Sequence, residues 1–262
     1  MLKPSRSKRF LHRLMALAPS ASTVEVEAIP LTCPGLLEAF WGAKIAVVAD
    51  VHLPDAMVST PKLLRCVAAQ RPDAIFLPGD LTNSYTDMDT VGLQELVSGL
   101  VAIAPCFAIP GNHELRLNRE PVYGRILTAS GVTYLQDSYG EWQRGDSVLP
   151  IYGMARKRPA PLDAEAKNAL VLAHKPDHFR YYAAAGWRVV VSGHAHGGQI
   201  RIGKQGIYSP GQGVLPTYTN GVYKSGNTTM VVSRGLGNSS VPFRFNNAAH
   251  LPVLILQKDP RE

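Results

Sequence analysis

The chain has 262 residues, 45% of them hydrophobic and 18% charged, with mean hydropathy −0.03. This suits one large globular domain or two small ones, and excludes a disordered polyampholyte, a coiled coil and a multispan membrane protein. Of the net charge of +7, five come from Lys3, Arg6, Lys8, Arg9 and Arg13, with no acid in residues 1–15; the nearly neutral remainder argues against a nucleic-acid binder.

In chain order, residues 1–40 read as a basic lead-in without clear pattern, broken by Pro19, Pro30 and Pro34. Phe10, Leu11, Leu14, Met15 and Leu17 interleave with the bases, so residues 1–17 could rest on an anionic membrane surface or stay a solvated tail. Ser7-Lys8-Arg9-Phe10-Leu11 resembles a twin-arginine export signal with its first arginine replaced, but the apolar stretch after it is too short. No apolar run approaches the ~18 residues of a spanning helix. Cys33, Cys66 and Cys106 are odd in number and lack metal-ligand spacing, which predicts no disulfide framework and a reducing compartment. The expected location is cytoplasmic, at most peripheral to the inner membrane.

From residue 41 to 262 a single domain is expected. Short apolar runs at 44–49, 74–77 and 106–109 alternate with helical spacing at 61–70 and 89–103, where Val91, Leu93, Leu96, Val97 and Leu100 form the apolar side. Further strands are predicted at 132–135, 148–152, 169–173, 188–191, 199–202, 229–233 and 251–256. A Gly/Pro/Tyr loop spans roughly residues 203–227, with Tyr208, Tyr218 and Tyr223 as a lip over the site or a surface excursion. The alternation predicts an α/β fold with both sheet faces covered.

The polar residues gather where strands stop. The tips read Asp50-Val51-His52, Gly79-Asp80, Gly111-Asn112-His113-Glu114, His174 and Gly193-His194-Ala195-His196. Sites in α/β sheets form beyond the carboxyl ends of strands, so these tips should converge. The donors are carboxylate, amide and imidazole with no thiolate, a set suited to Mn, Fe or Zn. A carboxylate can bridge two cations at the ~3.5–4 Å spacing of two-metal hydrolysis, and Asp80 is the expected bridge. A histidine outside the ligand set can donate the leaving-group proton. The other histidines, His12, His178 and His250, sit at no strand tip and read as structural or surface groups.

This ordered pattern resembles the calcineurin-like metallophosphoesterase superfamily, over about residues 44–256. Ser192–Gln199, His174-Lys175-Pro176-Asp177, Ser233–Gly237 and Pro242-Phe243-Arg244 are similar to its bacterial YkuE/YaeI-like phosphodiesterase branch. The chain departs from that branch where Ala248-Ala249-His250 replaces a Pro-Glu before the last strand. The resemblance implies a double-sheet α/β/β/α sandwich with a dinuclear metal site at the strand C-terminal edge. It also implies one cation on Asp50, His52, Asp80 and His196, and another on Asp80, Asn112, His174 and His194. His113 would be the proton donor or a phosphate contact, with Asn112 also meeting substrate. Asp50 would orient the His113 ring, and Glu114 would support it or simply serve the turn.

The function expected is metal-dependent hydrolysis of a small-molecule or lipid phosphodiester, or of a pyrophosphate, by a metal-bridging water. A lipid-linked pyrophosphate such as UDP-diacylglucosamine is the alternative, suited by the basic-apolar N-terminus and by Phe40-Trp41; a non-catalytic scaffold of the same fold is the third reading. Arg116, Arg119, Lys175, Arg201, Arg234 and Arg244 lie near motifs as candidate phosphate contacts.

Overall fold

The computed structural model describes residues 23–84, 87–155, 168–238 and 244–260. Two six-stranded sheets carry the fold, in the strand orders β1-β16-β2-β3-β4-β5 and β14-β15-β9-β8-β7-β6. The first contains β1 (Val24–Cys33), β2 (Lys44–Val47), β3 (Ala74–Leu77), β4 (Cys106–Ala108), β5 (Thr133–Tyr134) and β16 (Ala249–Lys258). The second contains β6 (Ser138–Arg144), β7 (Ser147–Met154), β8 (Leu170–Ala173), β9 (Val189–Ser192), β14 (Gly221–Ser225) and β15 (Thr228–Val232).

Side-chain alternation decides which face each strand shows. Ile45, Val47 and Phe76 point between the sheets and meet Ile151, Leu170, Leu172, Val189 and Val191 in one core. Their neighbours Ala46, Val48, Ile75 and Leu77 point the other way, into a second core. Helices α1 (Thr60–Gln70), α2 (Thr90–Val101) and α4 (Glu120–Ala129), the last following the short α3 (Asn112–Leu115), close that core with Leu63, Val67, Leu93, Leu96, Leu100, Tyr123 and Leu127. On the far side of the second sheet, α5 (Phe179–Ala184) supplies Phe179 and Tyr182 to a third core with Trp187 and Val190. A strand that is apolar at every position can be buried on both faces, and the layers therefore run α/β/β/α.

Helix ends follow local chemistry. The Asp89 carboxylate accepts the Gly92 N–H at 2.9 Å and starts α2, while Pro61 opens α1 where its missing N–H costs nothing. Val91, expected on the apolar side of α2, is 76% exposed: the helix turns it outward in its first turn, away from the stripe of Leu93, Leu96, Val97 and Leu100.

Three expectations need correction. The lead-in does not run unpatterned to residue 40: β1 pairs in parallel with β16 along its whole length, from Val24↔Ala249 to Cys33↔Lys258. Its outer carboxylates anchor it, Glu25 to Arg234 at 2.7 Å and Glu27 to His250 at 2.9 Å. Residues 203–227 are not a structureless loop, since they contain β11 (Gln205–Gly206), β12 (Tyr208–Ser209), β13 (Gly213–Val214) and β14, with β10 (Arg201–Ile202) just before them. Tyr218 packs edge-on against Phe179 and Tyr223, and the Tyr223 hydroxyl accepts the Thr219 N–H. Finally, Phe40 is fully buried, edge-on to Trp142 at 5.0 Å, and is no lipid contact; the half-exposed Trp41 lies beneath Lys258 Nζ.

The three cysteines are free, and burial pushes the Cys33 and Cys106 thiols up to about 12. No helix among the described residues is long and apolar enough to cross a membrane. The basic arm of residues 1–17 and Pro242-Phe243 lie outside the described residues.

Candidate metal centre

All five predicted tips meet in one place. Strands β2, β3 and β4 run parallel in the first sheet, as do β7, β8 and β9 in the second, so their carboxyl ends open on the same edge. At three of the tips, after β2, β3 and β9, the chain turns sharply into left-handed backbone. Asp50 (φ 53°), His52 (φ 59°), Asp80 (φ 55°), His194 (φ 67°) and His196 (φ 48°) all lie in the region glycine normally occupies. Each such residue costs of order 1–3 kcal/mol, which only surrounding contacts can offset. Those contacts are visible: Asp50 N–H donates to Gly79 O at 3.1 Å and His52 N–H to Asp80 O at 3.2 Å, tying two tips together. Gly79 and Gly111 pack so closely that a Cβ on Gly79 would lie 2.5 Å from Gly111 Cα, so both must be glycine.

The ligand side chains are buried: Asp50, His52, Asp80, His113, His174, His194 and His196 are each at most 6% exposed. Three clusters of potential ligands, each with donor atoms within 4.8 Å of one another, overlap in space. They are Asp50, His52 and His196; His52, Asp80 and His113; and Asp80, His174 and His194. Asp80 belongs to two of them, the position expected of a bridge. Asn112 joins the third, with Oδ1 3.2 Å from His174 Nε2.

The spacings fit a cation. His174 Nε2 lies 3.1 Å from Asp80 Oδ2 and 3.2 Å from His194 Nδ1. Ligands ~2.1 Å from a common ion stand ~3.0–3.4 Å from one another in octahedral or tetrahedral arrangement. In the other half, His52 Nε2 and His196 Nε2 face each other at 3.2 Å. Burial drives His52 down to about 3 and His196 well below its ordinary range, so both rings are neutral. Two buried, neutral, inward-facing imidazoles beside a carboxylate are a divalent-metal donor set.

The halves differ electrostatically. Burial opposes charge on His174, yet the Asp80 carboxylate beside it raises His174 to about 9. Burial likewise disfavours charge on Asp80, but His174 outweighs it and holds the carboxyl well below its usual value. At Asp50 burial outweighs the pull of His174 and pushes the carboxyl up to about 7.

Around the ligands stand groups that aim them. Glu114 is fully buried and accepts four hydrogen bonds: from Asp80 N–H at 3.0 Å, Gly111 N–H at 2.8 Å, Thr82 N–H at 2.9 Å and Thr82 Oγ1 at 3.0 Å. It therefore clamps two strand tips, a firmer role than a surface turn. Both Asp50 oxygens accept the His194 N–H, at 2.9 and 3.0 Å, joining the first sheet to the second. His174 Nδ1 bonds Pro78 O at 2.7 Å, and His196 Nδ1 lies 3.2 Å from Gly237 O. The Pro78 carbonyl at His174 Nδ1 directs Nε2 into the cluster, where a metal would displace the proton that Asp80 favours there.

Asp50 does not set the His113 ring as expected. Ser84 does: its N–H donates to His113 Nδ1 at 3.0 Å, with Ser84 Oγ at 3.1 Å. Because that nitrogen accepts, the proton of the neutral ring sits on Nε2, which points toward Asp80 Oδ2 at 4.0 Å. Sequence reasoning missed Ser84, because a serine 29 positions from the histidine it orients carries no motif.

The candidate phosphate contacts separate cleanly. Arg201 is buried and donates to Gly197 O and Lys204 O, Arg119 donates to Asn83 O, and Arg234 pairs with Glu25. Arg244 is buried behind His196, donating to Gly235 O and Gly237 O. Only Arg116 and Lys175 reach a cavity of about 310 Å³, beside Asn112 and His174, with Leu115 and Tyr182 among its apolar walls. His178, expected to be a surface or structural group, lines it as well. His250 is structural as expected, buried on Glu27.

Comparison with known proteins places these residues in context. The calcineurin-like phosphoesterase family profile matches residues 43–198, which carry every ligand named above. The chain is 29% identical over 231 residues to the uncharacterized metallophosphoesterase YkuE of Bacillus subtilis, covering 83% of this chain and 80% of that one. It is 27% identical over 207 residues to the phosphodiesterase YaeI of Escherichia coli, covering 74% and 75%. A transmembrane protein with a metallophosphoesterase domain from Bos taurus is 25% identical over 94% of this chain, which spans 59% of that protein.

Proposed function

Since the chain belongs to the calcineurin-like phosphoesterase family, we propose that it is a dinuclear metal-dependent phosphodiesterase, with the His113 Nε2–H as hydrogen-bond donor to the phosphoryl or leaving oxygen. Asp50, His52, Asp80 and His196 hold one divalent cation, and Asp80, Asn112, His174 and His194 hold the other, with Mn, Fe or Zn all compatible with the donors. When bound, two such cations polarise a phosphoryl group, acidify a bridging water and offset charge on the leaving oxygen.

The protein's own contribution is orientation and hydrogen bonding. Glu114 and the paired strand tips keep Asp80 central, grouped with His52 and His113 on one side and with His174 and His194 on the other. The observation that carries the reading is the His113 tautomer. Ser84 occupies Nδ1, leaving an Nε2–H aimed into the cluster, where it can donate a hydrogen bond to a phosphoryl or leaving oxygen. Burial lowers the His113 pKa, so the ring is neutral and keeps that Nε2–H as a hydrogen-bond donor rather than releasing it. The adjoining cavity favours a diester over a bare monoester. Leu115 and Tyr182 can pack one ester substituent, while Arg116 and Lys175 face its polar portion. Support for this choice comes also from the similarity to the phosphodiesterase YaeI.

The test compares bis-p-nitrophenyl phosphate with p-nitrophenyl phosphate, on chelator-stripped protein with Mn²⁺ restored. Diester cleavage that requires the metal, and falls at least ~100-fold in His113→Ala, is expected. Preference for the monoester would overturn the diesterase reading while leaving the metal centre intact.

A further inference from the structure

The candidate ligand His196 is held from a part of the chain that supplies no ligand itself. Arg244 is 4% exposed and lies behind the His196 ring, out of reach of any substrate. Its Nη1 donates to Gly235 O at 3.3 Å, its Nη2 donates to Gly237 O, and Nη2 also stands 3.2 Å from His196 Nδ1. That ring nitrogen is in turn 3.2 Å from Gly237 O. A carbonyl oxygen has two lone pairs. Gly237 O can therefore accept from Arg244 and keep the second pair for the Nδ1–H of a ring whose Nε2 binds a cation. Asn247, close by in the chain, fixes the backbone of the same ligand: its Nδ2 donates to His196 O at 2.8 Å and to Gln199 O at 3.1 Å.

The carbonyls that Arg244 grips belong to a strip laid directly on a second ligand. Leu236 N–H donates to Ala49 O at 3.0 Å and Gly237 N–H to Asp50 O at 2.6 Å. A Cβ on Gly235 would lie 2.7 Å from Asp50 Cβ, and one on Gly237 would collide with Val51 O, so the strip cannot shift without moving the Asp50–His52 tip. Arg244 thus joins His196, from the second sheet, to Asp50, from the first. The other half of the centre draws on different holders. Pro78 O sets His174 and Glu114 sets Asp80, and among the described residues 244–247 make no hydrogen bond to either tip.

A guanidinium buried without a carboxylate partner is costly, and a neutral side chain could fill the same space. Among the described residues no Asp or Glu pairs with Arg244, and its Nε has no hydrogen-bond partner. Burial lowers its pKa to about 10 against the supporting field of Asp50, so it stays a cation at neutral pH. What the planar fork supplies is donors at a fixed angle to two carbonyls at once, which a lysine cannot copy. Resting on the two-cation reading above, we propose that Arg244 is the positioning residue for the cation on Asp50, His52, Asp80 and His196. Its fork keeps the His196 ring and the Asp50 tip in one arrangement. Without it, that cation is held far more weakly than the one on Asp80, Asn112, His174 and His194.

The test titrates chelator-stripped protein with Mn²⁺ by calorimetry and follows the same samples by electron paramagnetic resonance. The wild type should take up two ions and give the broadened spectrum of a coupled pair, as cations sharing one carboxylate do. Arg244→Met keeps the bulk and removes the fork. It should bind one ion as the wild type does and the second at least ~10-fold more weakly. At Mn²⁺ concentrations that fill both wild-type sites, it should show the spectrum of an isolated ion. Arg244→Lys keeps the charge but cannot span both carbonyls, and should fall between the two. The comparison rests on the Lys variant should the Met variant lose its cooperative thermal melt. Two ions bound with wild-type affinity in the folded variants would overturn the proposal and leave the two-cation reading standing. Equal weakening of both ions would also overturn it, making Arg244 a general support of the fold. A wild type that binds a single ion would overturn the two-cation reading, and this inference with it.

Discussion

The turn at residues 193–198 and the hairpins at 199–215 are continuous in the chain but are held in opposite ways. In the turn, His194 and His196 are buried in left-handed backbone and fastened at several atoms: His194 N–H by Asp50, His196 Nδ1 near Gly237 O, His196 O by Asn247. In the hairpins, two-residue strands are joined by single ladders, and their largest apolar side chains face outward. A metal-ligand set tolerates little displacement and needs every turn fixed from several sides. The hairpins hold no candidate ligand, so fewer bonds suffice to hold them. The same short segment therefore combines a rigid inner edge with a lightly held outer one.

This contrast is open to direct challenge. The largest effect should come from the inner edge: Asp80→Ala should lower ester hydrolysis by at least ~1,000-fold and reduce bound metal, measured by turnover and by metal analysis of the same preparation. Retained metal stoichiometry in that variant would show that Asp80 is not the bridge.

Glu114→Ala should come next, with a loss of stability of about 3–5 kcal/mol in chemical denaturation, because it leaves buried N–H donors of Asp80, Gly111 and Thr82 without their acceptor. Ser84→Ala should be milder and kinetic. It removes the Oγ contact but keeps the backbone N–H that fixes the His113 tautomer, so kcat should fall only about two- to threefold with KM little changed. A loss of about tenfold or more would show that the hydroxyl, not the N–H, sets the ring.

The anchor of β1 should respond to pH. Burial lowers the His250 pKa below that of the free side chain, and the ion pair lowers that of Glu27. A group with a depressed folded-state pKa contributes its full stability above its unfolded pKa and loses it as pH falls through the folded one. Stability should therefore be complete above about pH 6.5 and decline on acidification, first through His250 and then, below the ordinary carboxylate range, through Glu27. His250→Asn should flatten the upper part of that decline in urea titrations between neutral and mildly acidic pH. The smallest effect belongs to the outer edge: Val214→Ser should shift the unfolding midpoint by no more than ~0.5 kcal/mol equivalent.

Much of the centre was legible in the residues. Asp50, His52, Asp80, Asn112, His113, His174, His194 and His196 each follow an apolar run at the expected end of a strand, and the structure brings all of them together. The strands β3 and β8 were equally plain, since an uninterrupted apolar run bounded by turn residues has few other uses. β1 was less so. Its run Val24–Cys33 mixes glutamates and a proline into the apolar pattern, and it becomes a strand only because β16 offers it a full-length partner. Val91 matched the helical period yet faces solvent, because it stands in the first turn of α2, clear of the packed stripe.

Sequence alone thus determined the family resemblance, the donor types and their order, because a metal site demands particular atoms and strand tips are where α/β folds can present them. Tertiary structure alone decided what holds those atoms in place. The clamp of Glu114 across two tips and the contact of Ser84 with the His113 ring both depend on groups distant in the chain, whose meeting is set by packing and by the pairing of buried donors and acceptors rather than by local spacing.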